Sequence, residues 1–207
     1  MSTLKATNFQ HPSAGAPAIV LDSAGGATVA GMGLVAVVPT SIANSGGTAT
    51  LLDNTITFTG VTSVSLNSCF TTTFTNYRII VSETNSTNSD LNMRFRVSGT
   101  DNTTTNYKWA YTGTSFLSPA AVNSGGTAVN LMRISASAGS LFRISSNIDV
   151  MQPQETERTT LSGSYCGEAH GGAVAGRFDA TTAFDGFTLF VNAGTITGTV
   201  AVYGYKK

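Results

Sequence analysis

The chain has 207 residues, 41% of them apolar, enough for one medium domain with an extension. Only 11% are charged and the formal net charge is zero, which removes the clustered basic surface that nucleic-acid binding needs. No apolar run approaches the ~20 residues of a membrane span.

The opening, "MSTLKATNFQHPSAGAPAIVLDSAGGATVAGMGLVAVVPTSI", is neither a leader peptide nor a helix. Polar residues and Pro12 break any apolar block, and further prolines and glycines punctuate it too often for a helix. Phe9 is the only aromatic of the first fifty residues, and Lys5 and Asp22 are their only acidic or basic side chains. The composition changes near "NSGGTATLLDN", which sets a predicted boundary between residues 1–51 and 52–207. Within the first segment, "GLVAVV" is apolar on both faces if extended: Leu34, Ala36 and Val38 on one, Val35 and Val37 on the other. Such a strand must be covered on both sides. A glycine-rich segment of this size buries too little surface to cover itself, so the cover is expected from the downstream domain, sister chains or a larger assembly. Leu4, Phe9, Ile19, Leu21, Leu34, Val35, Val37 and Val38 are the predicted assembly residues.

Beyond residue 52 the dominant signal is period-two alternation. It runs through "NTITFTG", "TSVSLNS", "NYRIIVS", "LNMRFRVSG" and "FTLFVN", and ends in "GTITGTVAVYGYKK". In "LNMRFRVSG", Leu91, Met93, Phe95 and Val97 point inward, while Asn92, Arg94 and Arg96 face water. Clusters such as "ETNSTNSD", "GTDNTTTN", "VNSGG" and "DATTAFDG" read as turns, and "HGGAVAG" does too. About ten short strands with polar turns predict an all-β fold, an antiparallel β-sandwich of jelly-roll type.

Catalytic signals are weak. "SYCGEAHGG" alternates Cys166, Glu168 and His170, which are metal-ligand types that would share one strand face. No second cluster completes a site, and four residues of extended chain hold sulfur and imidazole ~13 Å apart. No G-x-S-x-G context exists for a serine nucleophile. Nothing in the spacing picks a carboxylate pair from Asp149, Glu155, Glu157, Glu168 and Asp179. Cys69 and Cys166 are expected as free thiols. No enzyme, cofactor or metal is expected. "NYKWAY" places Tyr107, Trp109 and Tyr111 on one face, either as a stacking platform for sugars or as a core stripe, with the core the default. "QPQETERTT", with Gln154, Glu155, Glu157 and Arg158, is the densest charged loop and a second candidate for external contact.

The opening "STLKATNFQHPSAGAPAIVLDSAGG" resembles the N-terminal signature of tail-fibre-like proteins in phages of marine bacteria and cyanobacteria. The end, "FDGFTLFVNAGTITGTVAVYGYKK", is similar to the closing strands of small phage appendage domains, and "YRIIVSETNSTNSDLNMRFRVSGTDNTTTNY" resembles their middle. The resemblance implies a virion structural protein: a homotrimer anchored through residues 1–51 to a tail adaptor, a nozzle or the capsid. Residues 52–207 would then meet a host-surface glycan or protein. A capsid decoration or head-fibre protein is the nearest alternative, and a glycan-cleaving tip is a more distant one.

Overall fold

The computed structural model describes residues 33–136 and 142–206, together with short backbone strands before residue 33. Those early strands, β1 (Asn8–Phe9), β2 (Ile19–Leu21) and β3 (Ala27–Val29), pair antiparallel in a small sheet of their own. Fourteen further strands form one continuous antiparallel sheet. In chain order they are β4 (Leu34–Val37), β5 (Ser41–Leu52), β6 (Thr55–Asn67), β7 (Asn76–Asn85), β8 (Leu91–Val97), β9 (Thr100–Asp101) and β10 (Tyr107–Ser115). They continue with β11 (Ala121–Val129), β12 (Met132–Ser135), β13 (Arg143–Met151), β14 (Thr160–Cys166), β15 (His170–Phe178), β16 (Gly186–Phe190) and β17 (Ile196–Tyr205). Among the described residues there is no helix, so the expected all-β class is met.

The sheet is organised around β6. One edge of β6 pairs with β5; the other pairs first with β17 and then, from Ser63 to Leu66, with β16. β16 and β17 therefore follow one another along β6, and loop 191–195 is where two wings diverge. The long wing runs β17-β7-β13-β14-β15-β10-β11, and the short wing runs β16-β8-β12. β12 packs back over β10, β13, β14 and β15, so the sheet curls on itself and the core lies between the wings. The β5–β6 hairpin crosses from wing to wing where the register shifts between Ser45 and Gly46. Gly46, Gly47 and Gly60 have positive φ there. At Gly47 a Cβ would sit 2.0 Å from the Thr59 carbonyl, so only glycine fits this crossing.

The alternation seen in sequence builds the core. Phe58, Phe70, Tyr77, Phe95, Tyr107, Phe178, Phe184 and Phe187 are all buried. All of these rings except Phe58 form a connected chain: Phe95 lies 4.7 Å from Phe184, Tyr107 4.8 Å from Phe178, and Phe70 4.8 Å from Tyr77. Burying each such ring is worth about 1.5–3 kcal/mol, with about 0.5–1.5 kcal/mol more for a well-placed pair.

Several expectations need correction. β4 and all but the last residue of β5 fall within the 1–51 segment, yet they are hydrogen bonded to β17 and β6. The compositional shift at 51/52 therefore falls inside a hairpin. "VNSGG" and "HGGAVAG" are strand segments, in β11 and β15, rather than turns. Their glycines are needed because neighbours approach closely: a Cβ on Gly126 would lie 2.5 Å from the Trp109 indole nitrogen, and one on Gly172 2.0 Å from the Thr112 carbonyl.

Candidate interaction surfaces

The topology gives the domain two poles. At the proximal pole the amide of Lys206 donates to the Gly33 carbonyl over 3.1 Å, so the leading residues and the C-terminus meet there. At the distal pole lie the crossing of β5 and β6 and the loops following β7, β10, β14 and β16.

The predicted assembly residues divide. Leu4 lies outside the described residues, as do the side chains of Phe9, Ile19 and Leu21, although the backbone registers Phe9 against Ile19. Val37 is buried in its own chain's core and is therefore not available to a neighbouring subunit. Val35 is half-buried on the same face. Leu34 and Val38 remain exposed, at 42% and 55%, so β4 keeps one apolar face uncovered.

The aromatic stripe on β10 also divides. Tyr107 is wholly buried; its hydroxyl donates to the Asn102 carbonyl over 2.9 Å and accepts from the Phe95 amide over 3.1 Å. Burial pushes its phenol pKa up. Tyr107 is a core residue, and its assignment to surface contact is corrected. Trp109 and Tyr111 are half-buried and stack with ring centroids 6.0 Å apart. Arg133 from β12 lies over both rings, 4.6 Å from Trp109 and 5.7 Å from Tyr111, while pairing with Asp90. This cation–π arrangement occupies the platform from within the chain.

The charged loop lies at the proximal pole. The Gln152 amide donates to the Thr75 carbonyl over 3.0 Å, next to the start of β7. Gln154 donates its side-chain amide to the Phe184 carbonyl over 2.7 Å, so it clasps the loop to the domain. Glu155, Glu157 and Arg158 are exposed there, beside the pole from which the leading residues emerge. Cys166 ends β14 and His170 begins β15, with a turn between, so the expected shared strand face with Glu168 does not form. Cys166 is exposed, His170 is buried, and Cys69 is a buried free thiol raised above the ordinary cysteine range by desolvation.

The distal pole was not singled out by sequence, and it carries large exposed apolar side chains: Phe116 at 59%, Leu117 at 83% and Phe142 at 56%. Its loops are tied together. The Phe116 amide donates to the Ala169 carbonyl over 2.7 Å, and Ser86 and Thr195 exchange two hydrogen bonds of 2.9 and 2.8 Å. Such cross-ties hold the loops that carry these side chains in place. The sequence signal was the pair "FL" inside a polar turn, "TSFLSP".

The outward face of the long wing is uncharged over two successive rows. One row aligns Ala201, Ile80, Asn147, Ser164, Ala173 and Thr112 across six strands. The next aligns Thr199, Ser82, Ser145, Cys166, Gly171 and Thr114. Comparison with known proteins finds no matching family model, no matching curated protein and no matching solved structure.

Proposed function

We propose that this chain is a non-enzymatic structural subunit of a tailed-phage particle, a homotrimeric tail-fibre or appendage protein. Its leading residues dock to another virion protein, and its β domain is presented to the host surface. In this reading the two wings are the facing sheets of a jelly-roll-like sandwich. The observation that carries the proposal is the two-pole layout. The leading residues join the domain at one pole, and cross-tied loops expose Phe116 and Leu117 at the other, where Phe142 is also exposed. Host contact is therefore assigned to the distal pole rather than to the loop at Gln154, Glu155, Glu157 and Arg158. The uncharged rows of the long wing, with Ile80 exposed at 40%, and the open face of β4, with Leu34 exposed at 42%, supply a surface for sister subunits. Three such tips on one axis raise avidity without strong single contacts.

Gold-labelled antibody against this chain, applied to intact particles, tests the reading. Label at the tail or an appendage supports it. Label spread over the head favours the capsid-decoration alternative. Particles without label refute a virion role.

A further inference from the structure

The outward face of the short wing holds a polar pocket of about 400 Å³, which reaches the distal crossing at Ser45 and Val191 and does not include Phe116, Leu117 or Phe142. Its floor is a closed hydrogen-bond network. Arg96, 9% exposed, donates to Ser65 Oγ over 2.9 Å and to Thr188 Oγ1 over 2.7 Å. It also donates to Asn67 Oδ1 over 3.0 Å and is paired with Asp101. Thr188 in turn donates to Asp101 over 2.6 Å. The strand β9 makes this possible by folding Asp101 back beside Arg96. Every donor of the floor is thus fixed before any ligand arrives.

The rim differs. Arg94 lies over Phe190, its guanidinium carbon 4.3 Å from the ring centroid, and its Nε donates to the Asn130 carbonyl over 2.8 Å. These two contacts hold the guanidinium. Its two terminal nitrogens have no hydrogen-bond partner among the described residues. Ser63 and Ser45 line the same pocket. A guanidinium held at its Nε and over a ring, with its fork free, can receive a planar carboxylate through two parallel hydrogen bonds. The hydroxyls and Asp101 beside it suit the hydroxyl groups of a sugar. Two guanidiniums against one carboxylate leave a single positive charge in excess, which matches a monoanion. Asp101 in the wall opposes a dianionic phosphate.

We infer that this pocket binds an acidic sugar residue, with the sugar carboxylate on Arg94 and ring hydroxyls toward Asp101, Ser63 and Ser45. The inference does not depend on the virion proposal, since it concerns side chains other than the contact residues named there and a ligand any surface glycan or free uronate could supply.

The test is titration of the full chain with D-glucuronate, D-glucose and inorganic phosphate in separate arms, followed by calorimetry and by NMR shifts of backbone amides. Glucuronate is expected to saturate and to shift amides around Ser63, Arg94 and Asp101. Arg94→Gln should weaken it about tenfold or more, as befits loss of charge-assisted hydrogen bonds. Ser63→Val, which crowds the pocket from another strand, should weaken it independently. Glucose should bind at least about tenfold more weakly than glucuronate. Arg94→Gln is read alongside its thermal midpoint, and a variant that unfolds is replaced by Arg94→Lys, which keeps the charge and loses the fork. Absence of saturable glucuronate binding overturns the inference. So does glucuronate binding that is equal in wild type and in both pocket variants, or phosphate binding as tight as glucuronate, which marks a plain anion site.

Discussion

Glu83 offers a quantitative test of how the core is closed. It sits on the inner face of β7, in register between Ile144 of β13 and Gly198 of β17. It is 1% exposed, and neither carboxylate oxygen has a hydrogen-bond partner among the described residues. Burial without a partner disfavours the anion and pushes the carboxyl from 4.5 up to about 7. The direction of the stability effect follows. Below the unfolded value both states hold the proton and stability is unaffected. Between the two values only the folded state holds it, so stability falls as pH rises; above the folded value the loss is complete. At 1.36 kcal/mol per unit, the interval from 4.5 to about 7 amounts to about 3 kcal/mol. Glu83→Gln removes the titration while keeping the shape. Urea unfolding of both proteins from about pH 4 to about pH 8 isolates the effect, because all other titrating groups cancel in the difference. The stability difference in favour of Glu83→Gln should grow by about 3 kcal/mol across that interval and be flat on either side. A difference that stays constant with pH would show that the carboxyl ionises in the fold as it does in the unfolded chain, and would refute the reasoning.

Phe95→Ala removes a ring that touches Phe70, Tyr107 and Phe184, and should cost about 3–5 kcal/mol in denaturant unfolding. Asp149 accepts two hydrogen bonds from Arg78, at 2.8 and 2.7 Å, and one from Tyr205, at 2.6 Å, which hold its carboxyl below the usual range. Its contribution is therefore present above the unfolded value and lost as pH falls through the folded one. Asp149→Asn should cost about 1 kcal/mol at neutral pH, with the gap to wild type closing in acid. Changing Phe116 and Leu117 to Ser should leave the thermal midpoint within about 2 °C while reducing binding of the purified chain to host cells at least about tenfold.

Much of the sheet was legible because alternation and burial obey the same period. Leu91, Met93 and Phe95 are buried as their spacing requires, whereas Val97, expected inward, is 39% exposed and Asn92, expected wet, is buried. The pattern fails where a partner strand overrides local chemistry. β5 carries "SIANSGGTATLL", which has no apolar alternation, and it is a strand because β6 pairs along its whole length. β11 is an edge strand for the same reason, with glycines left open for Trp109 to lean across. Arg96 reads as a wet-face residue, yet it is buried, because β9 turns back to place Asp101 beside it. No local pattern announces such a return. The same holds for the poles: the position of the charged loop beside the leading residues depends on the order of strands in the sheet, not on any one stretch of sequence.

The account rests on subunits meeting through the leading residues, in addition to the uncovered face of β4 and the uncharged rows of the long wing. Sedimentation equilibrium of the full chain, compared with a chain beginning at Gly33 that keeps β4 and β5 in the sheet, tests this most directly. A trimer for the full chain and weaker association for the shortened one are the predicted results. A full chain that remains monomeric at high concentration would contradict the account.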